Sequence, residues 1–172
     1  MKLLGLIAGL MLLAGCSTAD TLWETVSDFH STEQCHWSET AFSISYGIPE
    51  NLQMSCTSDD GARYEINGGE MIVSSEVLLA SDLETAVAQL TNKEAEELSV
   101  IELERFGLPE YRFTWCETTA EGQLLLHTAD LVLDDIYGYA LLCSTDASVG
   151  NQYDHQMEAI FSTFGLYYDE TM

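Results

Sequence analysis

The side chains able to do chemistry in this sequence are few: five cysteines and four histidines against 29 carboxylates. Nucleophilic catalysis needs a nucleophile, a base and an orienting group brought together, and zinc needs closely spaced ligands. No C-x-x-C occurs, so neither a zinc site nor a thioredoxin-type redox centre has its spacing. There is also no G-x-S-x-G elbow and no H-E-x-x-H. His127 and Asp130 lie three apart on a predicted strand, so they point to opposite faces and form no dyad. His36 follows Cys35, and adjacent side chains diverge in an extended chain. His30 falls in a predicted tether, and His155 beside Asp154 on the surface of the last predicted helix. The pairs Asp59-Asp60 and Asp134-Asp135 occupy turn positions, where aspartate bonds its own backbone. Calcium takes six to eight oxygens, and no D-x-D-x-D-G loop supplies them. No catalytic residue, metal ligand or cofactor is predicted.

The fifth cysteine, Cys16, belongs to a different pattern. Lys2 precedes an apolar stretch over residues 3–13. That stretch is too short to cross a hydrocarbon core, which needs about 20 residues, and it matches the apolar region of a secretory signal. Leu13, Ala14, Gly15 and Cys16, which end it, resemble the bacterial lipobox. The resemblance implies that the Cys16 sulfur is joined to diacylglycerol and that cleavage leaves Cys16 as the new N-terminus. Ala14 and Gly15 suit a narrow cleavage cleft, and only a thiol makes the thioether. Two acyl chains hold a protein on a membrane stably, where one holds it marginally. The expected organisation is a lipoprotein signal peptide over residues 1–15 and a lipidated N-terminus, tether and possible short helix over 16–40. A single α+β domain over 41–168 follows, facing the cell surface or periplasm.

Export would leave Cys35, Cys56, Cys116 and Cys143 in an oxidising compartment, where an even count invites two disulfides in one of three pairings. Predicted turns near residues 120–121 and 134–135 put Cys116 opposite about Leu125, and Leu125 opposite about Ser144. Cys116 and Cys143 then stand two strands apart, about 10 Å, beyond the ~7 Å that a disulfide spans. Each strand cysteine is therefore expected to meet Cys35 or Cys56, with free buried thiols as the alternative.

The hydrophobic fraction of 47% argues for a packed core, and the length suits one domain. The formal net charge is −24, opposed in the domain only by Arg63, Lys93, Arg105 and Arg112. Such a surface repels nucleic acid, whose binding rests on cations that neutralise phosphate. A basic protein or peptide is the partner class that it favours, alongside the membrane reached through the anchor.

The elements follow from periodicity. Leu22, Val26 and Phe29 have helical spacing. Phe42, Ile44 and Tyr46 alternate on a strand ended by Pro49. Strands flank Asp-Gly at 60–61 and Asn-Gly-Gly at 67–69. Ser81 and Glu84 form a capping box for a helix with Leu83, Val87 and Leu90 on one face. A short helical turn, a strand from Val100 and a turn at Gly107-Leu108-Pro109 come next. A three-strand meander then carries Tyr111, Phe113, Trp115, Leu124, Leu126, Tyr139 and Leu141 on one face. The last helix, from about Gly150, has Tyr153, Met157, Ile160, Phe161 and Phe164 in a single stripe that covers that face, with Gly165 at its stop. Strands grouped between helices predict an α+β fold with an antiparallel sheet.

The stretch FSISYGIPENL, the capped helix after several strands, and the run YRFTW…EGQLLLHTADLVL…YGYALLCSTDA…MEAIFSTF resemble the PsbP-like α/β/α sandwich over about residues 41–166. That fold occurs in an extrinsic photosystem II subunit, a Ran-binding import factor and several bacterial lipoproteins. The opening TLWETV also resembles acidic lipoproteins of similar length. The resemblance implies binding or assistance and transfers no site residue. The expected function is a lipid-anchored, extracytoplasmic binding or accessory module without catalysis. A cation-responsive surface domain and an enzyme with a non-motif site are the alternatives.

Overall fold

A seven-stranded antiparallel sheet organises the molecule, and its strand order explains where the charged side chains meet. The computed structural model describes residues 29–31, 42–57 and 63–167. Short strands β1 (Phe29–Ser31), β2 (Ser43–Ser45) and β3 (Gly47–Pro49) come first. The main sheet is formed by β4 (Met54–Cys56), β5 (Arg63–Ile66), β6 (Met71–Leu78), β7 (Val100–Arg105), β8 (Leu108–Thr118), β9 (Leu124–Leu133) and β10 (Gly138–Asp146). Helix α1 (Leu83–Thr91) joins β6 to β7, and α2 (Asp154–Ser162) follows β10, with β11 (Gly165–Tyr167) after it. The order across the sheet is β4-β5-β6-β10-β9-β8-β7. The chain thus runs from one edge to the centre, crosses on α1 to the far edge, and returns to the centre through the predicted meander.

Each face of the sheet carries its own core. Phe113, Trp115, Ala129, Leu131 and Leu142 pack with Ala86 and Val87 of α1. Val73, Val132, Tyr139 and Leu141 pack with Met157, Ile160 and Phe161 of α2 and with Ile44 and Ile48 of the short strands. Burial on both faces explains why β9 and β10 read as nearly continuous apolar runs rather than alternating ones. It also corrects the single aromatic face. The five-residue loop over 119–123 sets Thr118 opposite Leu124 and Cys116 opposite Leu126, one residue on from the expected register, so Phe113 and Trp115 face α1 while Tyr139 and Leu141 face α2. The five-residue stripe of the last helix is buried throughout.

Several local expectations shift by a residue or two. Asp82, not Ser81, caps α1: its Oδ1 accepts the Thr85 N–H at 2.8 Å, and this holds the Asp82 carboxyl below its usual pKa. Asn92 ends the helix at φ 55°. The turn between β7 and β8 falls on Phe106 and Gly107, at φ 56° and 78°, flanked by the pair Arg105–Leu108, as a two-residue hairpin requires. Pro109 therefore lies inside β8. The stretch 42–49 divides at Tyr46, with β2 pairing β11 and β3 pairing β1. Phe29 and His30, expected in a helix and a tether, form β1; residues 22–28 lie outside the described residues. Gly165 opens β11 after α2 ends at Ser162, and a Cβ there would sit 2.8 Å from Ser45 Oγ.

The cysteines required the largest correction. Cys56, Tyr64, Val73 and Cys143 share one register row across four strands, which separates Cys56 from Cys143 by about 14 Å. Cys116 lies opposite Leu126, and Leu126 opposite Thr145, so Cys116 and Cys143 are about 12 Å apart. Cys56 and Cys116 are five strands apart. Each way of making two disulfides from the four cysteines contains one of these impossible pairs. Two disulfides therefore do not both form: Cys116 is an exposed free thiol, Cys143 is a buried one, and Cys56 is exposed. Cys35 and Cys16 lie outside the described residues.

Candidate functional site

The sheet brings charged side chains together at one place, beneath the C-terminal end of α2. Residues 110 and 112 of β8 point to the α2 face, and the register sets Arg112 opposite Asp130. Arg112 holds Asp130 with two bonds, Nη2 to Oδ2 at 2.9 Å and Nε to Oδ1 at 3.4 Å. Its Nη1 reaches both oxygens of Glu158 on α2 at 2.8 Å. Arg105, brought in by the tight hairpin, donates from Nη2 and Nε to Glu110 Oε1 at 2.7 and 3.0 Å. It lies 3.5 Å from Asp130.

The same arginines close the end of α2. Arg105 donates to the carbonyls of Phe164 and Phe161 at 2.9 and 3.2 Å, which satisfies groups that a helix leaves open at its C-terminus. It also sits over the Phe164 ring, and Arg112 over the Phe161 ring, at 5.4 and 4.9 Å. The last turn of α2 contains no cation of its own, so the sheet supplies one where the helix dipole favours it. Two of the chain's five cations are thus committed to seating one helix.

Burial dominates the electrostatics of this cluster. The Asp130 side chain is 0% exposed, and desolvation lifts its carboxyl to a pKa of about 6, against the lowering effect of Arg112. Burial also works against the Arg112 cation, but Asp130 and Glu158 together outweigh it and keep its pKa above the ordinary value. Cys143 is buried on the same face, and burial pushes its thiol up well out of the reactive range. A groove of about 340 Å³ runs beside the cluster between α2 and β7, lined in part by Ser99, Ile101, Thr114, Asp154 and Glu158.

Of the residues singled out by sequence, His127 has the richest surroundings. Its ring stacks on Trp115 at 4.9 Å, Nδ1 is 2.7 Å from Ser144 Oγ, and Nε2 is 3.6 Å from Glu117. Burial lowers its pKa, against the influence of Glu117, and so favours the neutral ring. His127 faces α1's side of the sheet and Asp130 the other, as their spacing predicts. His155 and Asp154 are exposed on α2. Asp134 is occupied by its own turn: Oδ1 accepts the Ile136 and Tyr137 N–H groups at 2.7 and 2.5 Å, and Oδ2 accepts the Tyr139 hydroxyl at 2.8 Å. His36, Asp59 and Asp60 lie outside the described residues. Among the described residues no group of three or more His, Cys, Asp or Glu is arranged to hold a metal ion, and no helix is long and apolar enough to cross a membrane.

Sequence reasoning missed the arginine cluster. The available signal was Arg112 and Asp130 standing at inward positions of apolar strands in a chain with so few cations.

No family model matches the chain, and no curated protein matches it in sequence. Solved structures share its architecture at low identity, among them the following two. LpqN of Mycobacterium tuberculosis, described as involved in cell envelope biogenesis, is 11% identical, with 88% of this chain and 98% of that chain covered and a TM-score of 0.52. Cyanobacterial PsbP (CyanoP) from Synechocystis sp. PCC 6803 is 9% identical, with 80% and 93% covered and a TM-score of 0.50. The antiparallel sheet covered by a helix on each face is thus a PsbP-like α+β fold.

Proposed function

We propose that this protein is a lipid-anchored, extracytoplasmic binding or accessory module without catalytic activity. The observation that carries the reading is the ordered N-terminal sequence, Lys2, apolar residues 3–13 and Leu13-Ala14-Gly15-Cys16, ahead of a PsbP-like domain. The mutual neutralisation of the buried charges supports it, because arginines that seat a helix are not poised to act on a substrate. The envelope role stated for LpqN is compatible with the same location.

The test is expression in a bacterial host with mass spectrometry of the membrane-recovered protein. The expected species begins at Cys16 and carries diacylglycerol. Cys16→Ala should leave the membrane fraction or accumulate with residues 1–15 attached. Recovery of the wild type with an intact Met1, or without added acyl mass, overturns the anchor.

One observation favours a second reading. Ser144, His127 and Glu117 lie on adjacent strands in the order of a hydrolase triad, and Ser144 lines a depression of about 480 Å³. The accessory reading expects no covalent labelling by a fluorophosphonate. Labelling that Ser144→Ala abolishes would replace it with a serine hydrolase.

A further inference from the structure

We propose that the outer edge of β7 is a docking strand, which receives an extended cationic segment of a partner protein as an eighth strand of the sheet. The inference rests on the binding-module reading and names its surface. β7 ends the seven-stranded order, and among the described residues nothing pairs with its outer side. An antiparallel edge leaves every second residue with unpaired N–H and C=O groups pointing outward, a template for strand addition. Edges are usually blunted by lysine, proline, a bulge or a covering element. Among the described residues β7 has no lysine, proline, bulge or covering element: its register with β8 runs unbroken from Val100–Phe113 to Arg105–Leu108, and its charges are the exposed Glu102 and Glu104 and an Arg105 turned inward onto Glu110, a set that repels an acidic strand and admits a cationic one.

The side chains of β7 define what could join it. Ile101 and Leu103 stand opposite Arg112 and Glu110 on the α2 face and are 56% and 42% exposed. Glu102 and Glu104 alternate with them on the other face, also exposed. Directly opposed residues on paired strands interact, favourably for opposite charges and unfavourably for like ones. A second copy of this chain is therefore a poor occupant: two β7 edges joined with their helix layers aligned oppose glutamate to glutamate. A strand alternating apolar residues with lysine or arginine fits. Its apolar side chains rest on Ile101 and Leu103, and its cations meet Glu102 and Glu104. The groove beside Ile101, rimmed by Asp154 and Glu158, admits longer side chains from the apolar side. The chain's charge of −24 steers such a segment toward it.

The probe is a ten-residue peptide alternating valine and lysine, titrated against the full chain in detergent micelles. A second peptide of the same sequence is N-methylated at alternate residues, so that charge is kept and one hydrogen-bonding edge is lost. Saturable binding of the first peptide is expected, with at least a tenfold loss for the second. Glu102→Gln/Glu104→Gln should lose about fivefold or more. Glu50→Gln/Glu121→Gln, an equal charge change at exposed sites away from β7, should stay within twofold. All four substitutions are on exposed side chains, and unchanged melting temperatures confirm the fold. Absence of saturable binding, equal binding of the methylated peptide, or equal losses in the two double variants overturns the proposal. The anchor is read separately from the mass of the N-terminus. Acylated Cys16 without peptide binding refutes the edge alone, and peptide binding with an unprocessed N-terminus refutes the anchor alone.

Discussion

Replacing Arg112 with methionine isolates the contribution of the buried charge. The Asp130 side chain is 0% exposed and holds Arg112 at 2.9 Å. Its remaining cation, Arg105, stands 3.5 Å away and is already engaged by Glu110. Removing one partner of a buried pair leaves an uncompensated charge and costs about 3–5 kcal/mol. Glu158 also loses Arg112, but it is 66% exposed, and surface pairs contribute about 0–1 kcal/mol. The expected penalty at pH 7 is therefore about 3–5 kcal/mol, a fall in Tm of roughly 10–15 °C for a chain of this size. Urea unfolding followed by circular dichroism measures it at pH 7 and again at pH 5. Without its guanidinium partner the Asp130 carboxyl rises above about 6, so at pH 5 it is protonated and the penalty should fall by half or more. A penalty below about 1 kcal/mol, the same at both pH values, would refute the claim that Arg112 answers a buried charge. Glu158→Gln in parallel should cost under about 1 kcal/mol.

In the wild type, the raised Asp130 pKa means that the folded state holds its proton more tightly than the unfolded state. The stability from that group is full below about pH 4 and is lost as pH rises through about 6; Asp130→Asn should flatten that limb of the stability–pH curve, measured by urea titration from pH 4 to 7. Ellman's reagent on the native protein should modify Cys116 within minutes and Cys143 only after unfolding; prompt reaction at Cys143 would contradict its burial. Trp115→Ala should cost about 3–5 kcal/mol by chemical denaturation, and it removes the ring that His127 stacks on. Gly107→Ala, which places a side chain at φ +78°, should cost about 1–2 kcal/mol, seen as a lowered denaturation midpoint.

The parts of this fold that follow from periodicity were legible in the sequence. The meander, the α1 segment and the stripe Tyr153-Met157-Ile160-Phe161-Phe164 each carry their own repeat, and each folds as that repeat dictates. What the sequence obscured depends on a count of residues in a turn. A five-residue loop over 119–123, rather than a tight bend at 120–121, shifts the β8–β9 register by one residue and sends Phe113 and Trp115 to the opposite face from Tyr139 and Leu141, a change that alternation within one strand cannot reveal. The cysteine pairings failed for a related reason. They depend on strand order, and the insertion of β10 beside β6 puts Cys143 in the centre of the sheet, far from both edges. The arginine cluster draws Arg105, Glu110, Arg112, Asp130 and Glu158 from four elements, so no local window contains it.

The central position of β10 also bears on how the chain is made. β4, β5 and β6 leave the ribosome before β10, and until residues 138–146 emerge the inner side of β6 has no neighbour. The β7–β9 portion waits in the same condition, with Leu131, Val132 and Leu133 uncovered. Sheet completion is thus a late event that joins residues some seventy positions apart, from Met71–Thr145 to Leu78–Gly138, and such distant pairing is intrinsically slow. Chains interrupted before residue 138 contain two half-sheets with apolar edges and no partner strand to bury them, the form in which aggregation threatens this protein most.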